Sequence, residues 1–169
     1  VNDNYGFAGA VPPGVSVANN VFQANQYQAT HTPKETFDWF YERVRNNKDG
    51  HLPPSQSMDY KQLEPKSKYA DFGNFNYGAV GRALGIPDAV LEYGAGWAQG
   101  KADGLSNAES IARSLLDHRN KGDNPGDQQM IRDGIDAARS RGFTGRRQKL
   151  SATPDLSGTV LPCLTTNSA

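Results

Sequence analysis

Asp71-Phe72-Gly73-Asn74-Phe75-Asn76-Tyr77-Gly78-Ala79-Val80-Gly81 is the stretch on which the reading of this chain turns. It sets two Asn, two Phe, a Tyr and three Gly directly ahead of an apolar helical pattern. Glycine lets a backbone take positive φ or approach another group closely, and Asn supplies amide donors and acceptors. The segment is expected either to build a tight polar joint inside the fold or to line a site. A short helix should begin only at Ala79 and stop at Gly85, after Leu84.

The pattern on either side is helical. Downstream, Ile86-Pro87-Asp88 opens a helix through Val90, Leu91, Tyr93 and Trp97. Gly94 and Gly96 lower its propensity and therefore suggest close packing against another backbone. Ser106-Asn107-Ala108-Glu109 is a capping box ahead of Ile111, Ala112, Leu115 and Leu116. After the polar loop Gly122–Asp127, a helix from Gln128 to near Arg141 should bury Met130, Ile131, Ile135 and Ala138. Upstream, Val15–Gln28 has helical spacing. Thr32-Pro33-Lys34-Glu35 adds a capping box with Pro at the first helical position, followed by an apolar face of Phe37, Phe40, Tyr41 and Val44 that ends near Asn46 and Asn47. Residues 48–68, broken by Pro53, Pro54 and Pro65, read as a long irregular connection. The expectation is a mainly α, compact single domain of about five helices, with short β pieces possible near 48–78. Residues 1–14 read as a linker or arm, 15–142 as the domain, and 143–169 as an extended or mobile tail.

A chain of 169 residues is long enough for one core. Its 18 basic and 18 acidic residues cancel, so it lacks the general positive field that nucleic-acid binding draws on. Arg139, Arg141, Arg146, Arg147 and Lys149 nevertheless form a basic run without an acid. With Cys163 as the one cysteine, neither an internal disulfide nor a Cys-based zinc site is available. We expect no metal and no cofactor. No apolar run could serve as a signal peptide or cross a bilayer. A start at Val1 leads us to expect a piece of something longer, or a processed product.

Three blocks of this sequence resemble the bacterial polymorphic toxin type 44 domain. They are Phe37-Asp38-Trp39-Phe40-Tyr41 with Val44, Asp59-Tyr60-Lys61-Gln62, and Phe72 to Ala79. The resemblance continues through Gly85-Ile86-Pro87, Ala95-Gly96-Trp97-Ala98-Gln99, Gly122-Asp123, Asp127 and Ile131, covering roughly residues 15–140 in the expected order. Met58 stands where the resemblance predicts a Trp. The resemblance implies a toxin module released from a large secreted or type VI-delivered carrier, acting in a target bacterium and neutralised by a cognate immunity protein.

The chemistry has to come from the residues. Asp59 and Lys61 would share one side of an extended strand, where a carboxylate beside an ammonium can act as base or nucleophile. A surface salt bridge is the plainer reading. Asn74, Asn76 and Tyr77 could hold a sugar or a base, with Trp97 and Asp123 beside them, or could form an amide-rich structural knot. Asp127 is most simply a helix cap, yet with Asp59 and Asp123 it could make a carboxylate cluster. Glu42 is a candidate second carboxylate, or a solvated one. His31, His51 and His118 lie outside the recognised blocks. Carboxylates, amides and aromatics are the palette of a glycan site. The expectation is therefore a peptidoglycan hydrolase with Asp59, Lys61, Glu42 and Asp127 in catalysis and Asn74, Asn76, Tyr77, Trp97 and Asp123 on substrate, working in the periplasm. The alternatives are a nuclease toxin acting on RNA or DNA in the cytoplasm and a non-enzymatic blocking toxin.

Overall fold

The computed structural model describes residues 3–45, 52–53, 55–65 and 67–145. The described chain is mainly α: α1 (Val17–Thr30), α2 (Pro33–Phe40), α3 (Ala70–Ala83), α4 (Asp88–Ala102), α5 (Asn107–Leu116) and α6 (Pro125–Arg139). A π-helical turn, Tyr41–Arg45, continues α2, and a 3-10 turn, Tyr60–Gln62, precedes α3. The short β pieces expected near 48–78 are not found among the described residues. Met58 donates its N–H to the Arg43 carbonyl (2.7 Å), after which the backbone curls into the 3-10 turn instead of extending a ladder. His51 and the cations Arg146, Arg147 and Lys149 lie outside the described residues, as does the C-terminal tail beyond residue 145.

The Asn/Gly-rich stretch is itself helical. It is the first three turns of α3, which starts at Ala70 rather than Ala79 and is buried from Phe72 to Ala83. A helix with protein on every side shows no single apolar stripe, so its periodicity is hidden. Its glycines are there for close approach: none of Gly73, Gly78 and Gly81 takes a positive φ. A Cβ on Gly78 would run into the Ile131 carbonyl, and one on Gly134 would run into the Phe75 carbonyl. Backbone therefore meets backbone where α3 crosses α6. Interior glycine costs a helix roughly 1 kcal/mol against Ala, which the close packing of the pair offsets. The helices run in the same direction. Lys61 lies near Gly73 and Asp127 at their N-terminal ends, and Arg82 Nε donates to the Phe143 carbonyl (2.6 Å) beyond their C-terminal ends.

α1 covers another side of α3 with Val17, Val21 and Ala24, all fully buried. Between them Asn20 Nδ2 donates to Tyr60 Oη (2.8 Å) and to Asn76 Oδ1 (2.9 Å). The N-terminal arm lies against the core through Phe7, whose ring centroid is 5.4 Å from Phe72 and 5.2 Å from Phe75. Met58 is buried and joins the same core.

Both capping boxes form as expected, at Thr32/Glu35 and Ser106/Glu109, but the faces behind them differ from expectation. α2 turns Thr36, Trp39 and Phe40 inward, leaving Phe37 exposed. α5 is inverted: Ser110 and Ser114 are its buried residues, while Ile111, Leu115 and Leu116 are 51%, 56% and 78% exposed. The cause lies in α4. A Cβ on Gly100 would stand 2.7 Å from Ser110 Oγ, and one on Gly96 would meet Ser114 Oγ at 3.0 Å. Only small side chains fit between two helices so close. In α6, Met130 is half-buried, whereas Ile131, Ile135 and Ala138 are buried.

Candidate functional site

The parallel N-terminal ends of α3 and α6 leave a cleft of about 590 Å³, closed by the Tyr41–Arg45 turn, the Tyr60–Gln62 turn and the second half of α4. Asp59, Lys61, Asn74, Tyr77, Trp97 and Asp123 all border it. Six of the nine residues expected at a site thus come together.

Asp59 is buried (7% exposed) at the head of the 3-10 turn, where its N–H donates to Ser57 Oγ (3.2 Å). A helical turn therefore replaces the strand expected for the Asp59/Lys61 pair. Lys61 lays its stem along α3: a Cβ on Gly73 would stand 2.8 Å from Lys61 Cγ. Its Nζ reaches Asp127 Oδ2 at 3.5 Å, tying the turn to α6. Asp127 is in the first turn of α6, where the helix dipole favours a carboxylate, and Asn124 occupies the capping position expected for it.

Asn74 and Asn76 point to different sides of α3. Asn76 belongs to the α1 contact described above. Asn74 is 1% exposed, borders the cleft, and its Nδ2 has no hydrogen-bond partner among the described residues. A buried amide N–H without an acceptor is costly. Tyr77 donates its hydroxyl to the Leu91 carbonyl (3.1 Å). Burial pushes the phenol up to about 12, so it carries its proton throughout the physiological range and shapes the wall without exchanging protons.

Asp123 is the second buried carboxylate of the cleft (6% exposed). Burial raises its pKa; the neighbouring Asn124 N–H and the Lys61 charge oppose this only in part. A dedicated loop aims it. Asp117 accepts N–H bonds from Asn120 (2.9 Å), Arg119 (3.1 Å) and Gly122 (3.3 Å). Lys121 and Gly122 then take left-handed φ values of 55° and 84°, reversing the chain just before Asp123. A Cβ on Gly96 would run into the Lys121 carbonyl, so α4 clamps the loop from outside.

The opposite wall holds residues that sequence reading passed over. Arg45 lies over Tyr41 (5.4 Å to the ring centroid) and over Trp97 (5.2 Å), and its Nη2 donates to the Gly94 carbonyl (3.3 Å). Lys101 borders the same cleft. Tyr41 and Arg45 are four apart, a helical spacing that could have flagged them; the wider π-helical turn, a device frequent at functional sites, gives no such signal. Glu42, on that turn, is exposed and does not border the cleft. His31 stacks on Tyr27 (3.6 Å) away from the cleft, and His118 is exposed. Among the described residues, no three of His, Cys, Asp and Glu gather as a metal-ligand set. Of the basic run, Arg139 pairs with Asp88 (2.6 Å) and Asp136, and Arg141 lies over Tyr5 (3.9 Å).

A family model described as bacterial toxin 44 matches residues 16–140. No curated protein and no solved structure matches the chain. The chain belongs to the bacterial toxin 44 family, whose members are polymorphic toxin domains.

Proposed function

We propose that this toxin domain is a hydrolase that cuts glycosidic bonds of bacterial peptidoglycan, with Asp123 as general acid and Asp59 as the second carboxylate. The observation that carries the reading is the pair of buried carboxylates on one cleft, Asp59 and Asp123. Burial favours the protonated form of Asp123, as a group that must give a proton to a leaving oxygen requires. As the C–O bond breaks, positive charge grows on the sugar ring. The Asp59 carboxylate would meet it, either as nucleophile or by activating water. The Asn74 amide and the Trp97 and Tyr41 rings supply a hydrogen bond and stacking faces of the kind sugars use. Lys61 holds Asp127 back from the reacting pair. Glu42 and Asn76 take no part in this reading.

The domain would be delivered from a carrier into the periplasm of a target bacterium, and a cognate immunity protein would protect the producer. Bacteria expressing the chain with a periplasmic signal sequence should lyse, and those expressing it without the signal should grow. Purified sacculi should release glycan fragments with new reducing ends, and Asp59→Asn and Asp123→Asn should each slow release by on the order of 10²–10⁴-fold. Co-expression of the adjacent downstream gene should restore growth. Fragments without new reducing ends would refute the glycosidic assignment.

One observation favours a second reading. Arg45, Lys61 and Lys101 give the cleft three cations against two carboxylates, a balance that also suits a phosphodiester. Arrest only from cytoplasmic expression, with loss of intact RNA or DNA, would establish a nuclease instead.

A further inference from the structure

The cations of the cleft are not equivalent. Lys61 is paired with Asp127 at 3.5 Å, and Lys101 Nζ donates to the Leu105 carbonyl (2.9 Å) at the exposed edge. Arg45 is half-buried. Its one hydrogen bond within the described structure goes to the neutral Gly94 carbonyl, and none of the ion pairs among the described residues involves it. Tyr41 and Trp97 hold the guanidinium by their ring faces, which fixes its position while leaving further N–H groups available. A guanidinium so held can present a planar fork to an oxyanion. Independently, Asn74 borders the same cleft, and its buried Nδ2 has no hydrogen-bond partner among the described residues. Arg45 keeps N–H groups beyond the one given to Gly94, and the Asn74 amide borders the same cleft, so a ligand that brings an acceptor matches what this wall offers.

We propose that Arg45, held between Tyr41 and Trp97, is the seat for a carboxylate of the substrate, so that the cleft selects an acidic glycan over a neutral one of the same backbone. This rests on the glycosidase reading and narrows it. In an alternating strand of N-acetylglucosamine and N-acetylmuramic acid from which the stem peptides have been removed, the free lactyl carboxylate distinguishes one sugar from its otherwise identical neighbour. Where a stem peptide is attached that carboxyl is a neutral amide, so the acidic glycan selected is the peptide-free strand. Engagement of that group by Arg45 would set the register of the strand, and with it which linkage lies between Asp59 and Asp123.

The test uses the full chain carrying Asp59→Asn, so that ligand is not consumed, and two probes in calorimetric titration. One is a peptide-free tetrasaccharide of alternating N-acetylglucosamine and N-acetylmuramic acid, and the other is chitotetraose, which lacks the carboxylates. The acidic probe should bind about tenfold more tightly. Arg45→Gln should bring it down to the level of chitotetraose without weakening chitotetraose, and Arg45→Lys should fall between. Circular dichroism and urea unfolding check that each variant is folded. Should Arg45→Gln not fold, a salt series on the Arg45 protein replaces it, with added salt weakening the acidic probe alone. Equal affinity for the two probes, or a preference that survives Arg45→Gln, overturns the proposal while leaving the glycosidase reading standing. Binding of a short single-stranded RNA but of neither glycan overturns that reading and this proposal together.

Discussion

Gly78 lies directly against the carbonyl of Ile131, with no room for a Cβ between them. That contact sets how closely α3 and α6 approach, and the cleft opens at the N-terminal ends of the two helices.

Gly78→Ala should therefore destabilise the domain by about 1–3 kcal/mol, the usual cost of overpacking, even though Ala is the better helix former. Gly134→Ala should behave alike, since its Cβ would strike the Phe75 carbonyl. Gly126→Ala, with nothing within 4 Å of the added carbon, should be neutral or slightly stabilising. Urea unfolding of the three variants decides the matter. A Gly78→Ala protein as stable as its parent would mean that the helices can separate freely.

Asp123 should show a trade of stability for activity. Its folded pKa is raised by burial, so the native state holds this proton more tightly than the unfolded chain does. Stability is then lost as pH rises from the ordinary carboxylate range through the raised folded value. Asp123→Asn removes that penalty. The variant should melt at a higher temperature than its parent at pH 7, with the advantage shrinking as pH falls through the raised folded value and gone below about 4, while sacculus digestion collapses. Equal melting temperatures at pH 7 would show that burial places no strain on this carboxylate.

Asp117 is expected to act on activity through the loop alone, since it touches backbone N–H groups and not the cleft. Those three bonds hold its carboxyl below the usual carboxylate range, so its contribution is present above that range and fades as pH falls through the depressed folded value. Asp117→Asn should speed amide exchange at Asn120, Arg119 and Gly122 and lower kcat more than it raises KM. The pH profile should keep its shape, because Asp123, the proposed acid, is unchanged. A shifted profile would show instead that Asp117 influences the titrating group itself.

The inverted packing of α5 predicts the reverse of what its sequence suggests. Leu115→Lys and Ile111→Lys should each change stability by no more than about 0.5 kcal/mol, as exposed substitutions do. Ser114→Leu or Ser110→Leu, forced against Gly96 and Gly100, should cost about 1–3 kcal/mol. Thermal melts of the four variants would discriminate; a collapse on Leu115→Lys would place the apolar face inside.

Legibility followed how local the cause was. The helices headed by Thr32 and Ser106 could be read because a capping box is completed within four residues. Gly94 and Gly96 announced a close contact, and Gly96 indeed abuts Lys121. The candidate site was legible as a grouping: Asp59, Lys61, Asn74, Tyr77, Trp97 and Asp123 stood out by type and do meet on one cleft. Asn76 could not be told from Asn74 without knowing that their stretch is helical, which sends side chains two positions apart to different sides. Arg45 looked like any surface cation, because its aromatic partner Trp97 is far off in sequence.

The sequence by itself determined a mainly α domain, its capped helices and its membership of a toxin family, since these follow from periodicity, local hydrogen bonds and motif order. Tertiary structure alone decided that Asp71–Gly81 is helical. A helix enclosed on every side has no polar face to reveal it, and its glycines gain stability only once α6 is against them. It also decided which carboxylates share the cleft. Asp59 precedes α3 and Asp123 precedes α6, and only the parallel packing of those helices brings both to the same end.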